Sequence, residues 1–143
     1  MATALALLIF ITLTIVAALH AYWAFGGLWP GHDELSLTRM VVGSRGITKM
    51  PSRGLTLIVA LLILVAGLIA LAQVAILPAL LPPLFQQAAV VGLAIILLVR
   101  GIASFTPPLW RMQAEEPFAT LDRNIYAPLC LALGAGFITL LLL

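Results

Sequence analysis

Four stretches of this chain, residues 4–25, 55–77, 86–105 and 127–143, run apolar for about twenty residues each, and the one charged side chain inside any of them is Arg100. About 20 consecutive apolar residues in a helix cross the hydrocarbon core of a bilayer, and a backbone surrounded by lipid has to satisfy its own hydrogen bonds. The expectation is all-α: an integral membrane bundle of four transmembrane helices, making one domain over residues 1–143. Arg100 falls in the last turns of the third run, where a long side chain can snorkel to the headgroups. Composition agrees with this reading, since 64% of the residues are hydrophobic and 8% charged, with a mean hydropathy of +1.22 that excludes a water-soluble domain.

The first run has a competing reading as a cleaved leader, because Ala17 and Ala18 are small and follow a hydrophobic region. The opening MATA supplies no basic residue, however, and the run is long enough to span, so a retained helix is expected. Orientation follows from the basic residues. Arg39, Arg45, Lys49 and Arg53 fall in the first connection, and Arg100, Arg111 and Arg123 at the end of the third span and in the third connection. The N-terminus, the connection PALLPPLFQQ and the C-terminus carry none. By the positive-inside rule both termini of a multi-pass membrane protein face the non-cytoplasmic side. The acids Asp33, Glu34, Glu115, Glu116 and Asp122 share the basic face, as do His32 and His20. The formal charge of +2 is too small, and too scattered, for nucleic acid to be a partner.

The stretch HAYWAFGGLWPGHDE, beginning at His20, is where chemistry first enters the chain. Tyr22, Trp23 and Trp29 suit the interface depth, Gly26 and Gly27 can end a helix in a left-handed conformation, and Pro30 discourages its continuation. A helix end with an aromatic belt therefore accounts for everything except His20. An intramembrane histidine is either hydrogen-bonded to nearby backbone or part of a site, and His20 is the candidate catalytic residue. His32, Asp33 and Glu34 are competent metal donors, but three adjacent residues on a turn seldom converge on one ion, so a solvated charged loop is the preferred reading and no metal is expected. Haem is disfavoured because bis-histidine ligation wants histidines on facing helices. No pattern names a cofactor.

Elsewhere the signals are weaker. Ser-Arg-Gly occurs at Ser44–Gly46 and at Ser52–Gly54, a grouping that could hold a phosphate, although cations that fix topology explain it equally. Neither a Walker spacing nor a G-x-S-x-G elbow is present. In the third connection Phe118, Leu121 and Ile125 have helical spacing, which predicts a short piece lying along the membrane surface before Pro128 opens the fourth span. Glu115, Glu116 and Asp122 are the acids available to pair with arginines of the first connection or to orient His20. Within the spans the absence of acids and lysines argues against an ion pathway in one chain. Small residues recur at packing spacing in Ala17/Ala21, Ala66/Ala70 and Ala132/Gly136. Cys130, the only cysteine, allows no internal disulfide and reads as a packing residue.

Together, HAYWAFGGLWP and LDRNIYAPLCLALGAGF resemble a widespread bacterial family of small four-helix membrane proteins of unknown function. Its members combine an H-x-Y-W-x-x-G-G-x-W-P segment at the end of the first helix with a Y-x-P-L-C-L segment opening the last. The matching positions are His20, Tyr22, Trp23, Gly26, Gly27, Trp29 and Pro30, then Tyr126, Pro128, Leu129, Cys130 and Leu131. The resemblance covers nearly the whole chain and implies the four-span architecture, but no catalytic residues.

Three functions are compatible with these residues. The leading expectation is a binding or accessory module with an interfacial pocket formed by His20, Tyr22, Trp23, Trp29 and Tyr126, taking a lipid-like ligand or a partner helix from another membrane subunit. The alternative is a membrane-embedded enzyme acting on a lipid or isoprenoid-like substrate, with His20 as general acid or base and one of the three acids orienting it. A homo-oligomeric channel or transporter is third, with its sparse polar lining against it.

Overall fold

The computed structural model describes residues 1–106 and 114–143. Trp110 and Arg111, the latter one of the seven basic residues used above for orientation, lie outside the described residues. The chain is helical throughout its long elements: α1 (Ala2–Ala24), α2 (Glu34–Val41), α3 (Arg53–Gln73), α4 (Pro83–Ala103), α5 (Phe118–Leu121) and α6 (Ala127–Leu142), with a π-helical turn Asp122–Tyr126 between the last two. Because α5, the π turn and α6 run on without a break, four helices are long and apolar enough to cross a membrane, the last of them being Phe118–Leu142.

Each helix end has a local cause. At the end of α1, Gly26 adopts φ +88. This lets Gly26 N donate to Trp23 O at 3.0 Å and Gly27 N donate to Tyr22 O at 2.9 Å, which satisfies two carbonyls that the last turn would leave bare. Two prolines set the start of α4, with Pro82 before it and Pro83 in its first turn, where no N–H is needed. The predicted start at residue 86 was therefore one turn late. The apolar run of the second span continues to Leu77, but the helix stops at Gln73, and Ala75 turns the chain at φ 57. Hydropathy is blind to such a turn.

Three expectations about the basic connections are corrected. The first connection is not a plain loop. Asp33 accepts Ser36 N at 2.7 Å, and Ser36 Oγ accepts the Asp33 and His32 amides, so a capping box starts α2. Pro128 does not open the fourth span, which begins ten residues earlier at Phe118. A proline there has no N–H for the carbonyl four residues back, and the widened π turn, in which Ala127 N reaches Asp122 O, carries the helix past it. Phe118 and Leu121 are thus continuous with the helix long enough to span, rather than forming a separate piece.

The four spans form two antiparallel hairpins. A Cβ on Gly67 of α3 would lie 3.1 Å from the Phe10 ring of α1, and one on Gly101 of α4 would lie 2.6 Å from Leu131 and 3.0 Å from the Ala127 carbonyl on α6. Close approach of small residues is how helices associate where lipid removes the hydrophobic driving force. The core common to both hairpins draws on Ile9, Ala70, Val90 and Phe137, residues of the helix halves nearest the two termini. At the opposite end the hairpins are joined instead by a seam between α2 and the start of the fourth span. There Glu115 N donates to Gly43 O at 2.9 Å and Tyr126 Oη donates to Met40 O at 3.2 Å.

Candidate functional site

His20 is half-buried one turn from the end of α1. Its Nδ1 lies 2.8 Å from the Val16 carbonyl oxygen, four residues back on the same helix. A carbonyl can only accept, so Nδ1 donates to it, and in the neutral tautomer that this bond fits Nε2 is an acceptor. The ring sits 5.0 Å from that of Trp23. Trp23 Nε1 in turn donates to Trp29 O at 2.7 Å, which ties the post-helix loop back over the helix end.

His20 and Trp23 line a cleft of about 160 Å³ together with Val41 and Val42 from the end of α2, Met50 and Pro51, and Leu55, Thr56 and Val59 of α3. The sequence folds this way for three reasons. Helix α2 is anchored by buried Leu37 and Thr38. The Glu34 carboxylate holds the Met50 amide at 3.2 Å. Ser52 caps α3 through Leu55 N at 3.4 Å. Beside the cleft, the Arg53 guanidinium lies 4.4 Å from the centre of the Phe25 ring, a cation–π contact across the α1–α3 ends.

Of the five residues expected to share one pocket, two line this cleft. Tyr22 is exposed, its ring packed over Gly27. Trp29 is 63% exposed and contributes its carbonyl to Trp23. Tyr126 faces α2, packing on the Phe118 ring with centroids 5.9 Å apart while its hydroxyl meets Met40. Met40 is next to the cleft-lining Val41, so Tyr126 lies behind the wall rather than in it. Val41, Val42, Met50 and Thr56 were not anticipated, because nothing in the sequence says that the first connection folds back onto α1.

The charged candidates have other duties. Asp33 is an N-cap, and its hydrogen bonds from Ser36 hold its carboxyl below the ordinary value of 3.8. Glu34 holds Met50. The Glu116 carboxylate accepts Thr120 N at 3.3 Å. Among the described residues no group of three or more His, Cys, Asp or Glu converges as a metal site would require. Asp122 pairs with Arg100, whose Nη2 lies 2.5 Å from Oδ1 while Nη1 donates to Ser104 Oγ at 2.7 Å. Arg100 therefore turns to a neighbouring helix rather than to headgroups, and Asp122 turns away from the arginines of the first connection. The signal for this pair was present: an arginine closing one apolar span and an acid opening the next fall at the same depth in a hairpin, and each needs a partner there. Ser52 of the second Ser-Arg-Gly triplet serves as a helix cap, and Ser44 of the first bridges to Ala114.

A family model described as a protein of unknown function, DUF3995, matches residues 13–137. The chain belongs to this family. The matched region takes in both the His20 cleft and the π turn beside Arg100, so the family's sequence pattern extends over the whole basic end. Neither the curated proteins nor the solved structures contain a match to this chain.

Proposed function

We propose that the protein is a small membrane binding module whose His20 cleft takes the head of a lipid-like ligand, with the basic connections on the cytoplasmic side of a bacterial inner membrane. The observation that carries this reading is the cleft itself: apolar walls from α1, α2 and α3, with one imidazole whose second nitrogen is uncommitted among the described residues. Such an arrangement of mainly apolar lining with few polar groups is how small-molecule sites are built. Its place at the helix ends suits a molecule lodged at the interface, and the six described basic residues at that end support the orientation.

The experiment is mass spectrometry of lipids retained by the protein in native-lipid particles, compared with a Val59→Trp variant whose indole fills the cleft. A species enriched on the wild type and depleted on the variant is the expected result. Equal lipid profiles for the two would end this reading. General acid–base chemistry at His20 has less support, since Asp122 and Glu116 are engaged elsewhere and the imidazole is oriented by a backbone carbonyl rather than by an acid.

A further inference from the structure

The cleft's hydrogen-bonding polarity identifies the ligand's chemistry, an inference that rests on the binding role proposed above. Three side chains in its lining carry a polar hydrogen, and each is committed to a backbone carbonyl. His20 Nδ1 is held by Val16 O at 2.8 Å. Trp23 Nε1 donates to Trp29 O at 2.7 Å. The Thr56 hydroxyl donates to Ser52 O at 3.1 Å. The backbone amides are spent as well: Met50 N donates to Glu34, Leu55 N to Ser52 Oγ, Val42 N to Thr38 O and Thr56 N to Ser52 O. Pro51 has no amide hydrogen. What remains is acceptor capacity, above all His20 Nε2.

A ligand head that needs donors therefore finds none free in this wall. Desolvating a phosphate or carboxylate between walls without donors is expensive, and Arg53, stacked on the face of Phe25, is not part of the lining. A hydroxyl matches, because it brings the hydrogen that Nε2 lacks. Size adds a second constraint. At about 160 Å³ the cleft is smaller than the roughly 300 Å³ at which sites begin to enclose whole small molecules. Only a slim head fits, and the remainder has to lie outside. Leu55, a lining residue, continues into an exposed apolar stripe with Ile58 and Leu62 along α3, a track for an aliphatic chain.

We propose that the occupant is an uncharged single-chain lipid alcohol whose hydroxyl donates to His20 Nε2 while its chain follows Leu55, Ile58 and Leu62.

The test uses the full-length protein in phosphatidylcholine vesicles, photolabelled by hexadecanol carrying a diazirine in its chain. Labelling is competed by unlabelled hexadecanol, by its methyl ether and by hexadecyl phosphate. The expected result is label on the 50–62 peptide, with the alcohol competing at a mole fraction about tenfold below that of the ether, in line with one good hydrogen bond. In His20→Leu the two should compete alike. Equal competition by alcohol and ether on the wild type, or stronger competition by the phosphate, overturns the alcohol assignment while leaving a lipid cleft in place. No saturable label on that peptide removes the cleft reading and this inference together. The wild-type comparison decides the matter even if the variant does not fold.

Discussion

Arg100 on α4 and Asp122 at the start of the π turn form an ion pair through two contacts, Nη2 to Oδ1 at 2.5 Å and Nη1 to Oδ2 at 3.5 Å. Gly101 makes it possible. Its bare backbone lets α4 approach the Ala127 carbonyl of α6 within one residue of the arginine, and any side chain there would hold the helices apart. Asp122 is 8% exposed, and that guanidinium is its charged partner among the described residues.

Removing one partner should cost more than removing both. Arg100→Met leaves a buried carboxylate with no counter-charge and is expected to destabilise by about 1.5–3 kcal/mol, toward the lower figure because the arginine side chain is 42% exposed and partly screened. Arg100→Met combined with Asp122→Leu should recover part of that loss. Thermal unfolding in detergent across the four-protein cycle gives the coupling directly, and strictly additive changes would contradict it.

Acid should loosen α2 before the spans. The folded carboxyl of Asp33 titrates below its ordinary value, mainly because the Ser36 amide and hydroxyl bond to the charged form. A depressed folded value means that the cap's contribution is complete above pH 3.8 and is lost as pH falls through the lower folded value. Asp33→Asn keeps an acceptor and should abolish this acid-linked step, which amide shifts of Ser36 and Leu37 would report. A step of unchanged midpoint in the variant would assign it to another group.

Gly43 should tolerate no side chain. It has φ +65, and the Phe118 ring occupies the space where a Cβ would project. Gly43→Ala is expected to cost about 1–3 kcal/mol and to open the seam between α2 and the fourth span. Adding Phe118→Ala should return only the part of the steric cost due to the ring, because the Phe118 Cβ also meets the added carbon, and none of the part due to backbone conformation. Faster hydrogen exchange at Glu115 N, which donates to the Gly43 carbonyl, is the local readout.

Gln86 is a buried amide at the other end of the bundle. Its Nε2 donates to Ile69 O at 3.1 Å, whereas Oε1 is buried without a partner among the described residues. Gln86→Met loses one hydrogen bond but also removes an unsatisfied acceptor, so stability should change by less than about 1 kcal/mol. Gln86→Glu puts a charge beside a carbonyl and should be strongly destabilising. Paired melting curves separate the two outcomes.

Much of the architecture was legible because lipid imposes one strong rule on composition. The four spans came from run length, and the Gly26 turn from residue type. What escaped notice depends on local geometry that hydropathy averages away. The Asp33–Ser36 capping box was readable as a pair of residues three apart but was hidden among charges. The π turn was unreadable, since the proline that ordinarily opens a helix here is carried inside one. At the site, His20 and Trp23 were visible as polar or aromatic groups at a helix end, whereas Val41, Val42 and Val59 are ordinary apolar residues until the chain folds back on them. Tyr126 was grouped with them by depth alone, and depth does not specify azimuth around a bundle.

Phe137 and Val90 are wholly enclosed near the termini, while the far end of the bundle relies on two hydrogen bonds and one aromatic plug in a glycine notch. Mechanically this makes a pair of tongs riveted at one tip. Spreading the jaws at the basic end disturbs a few discrete contacts, whereas prising apart the riveted tip would have to unpack every helix at once.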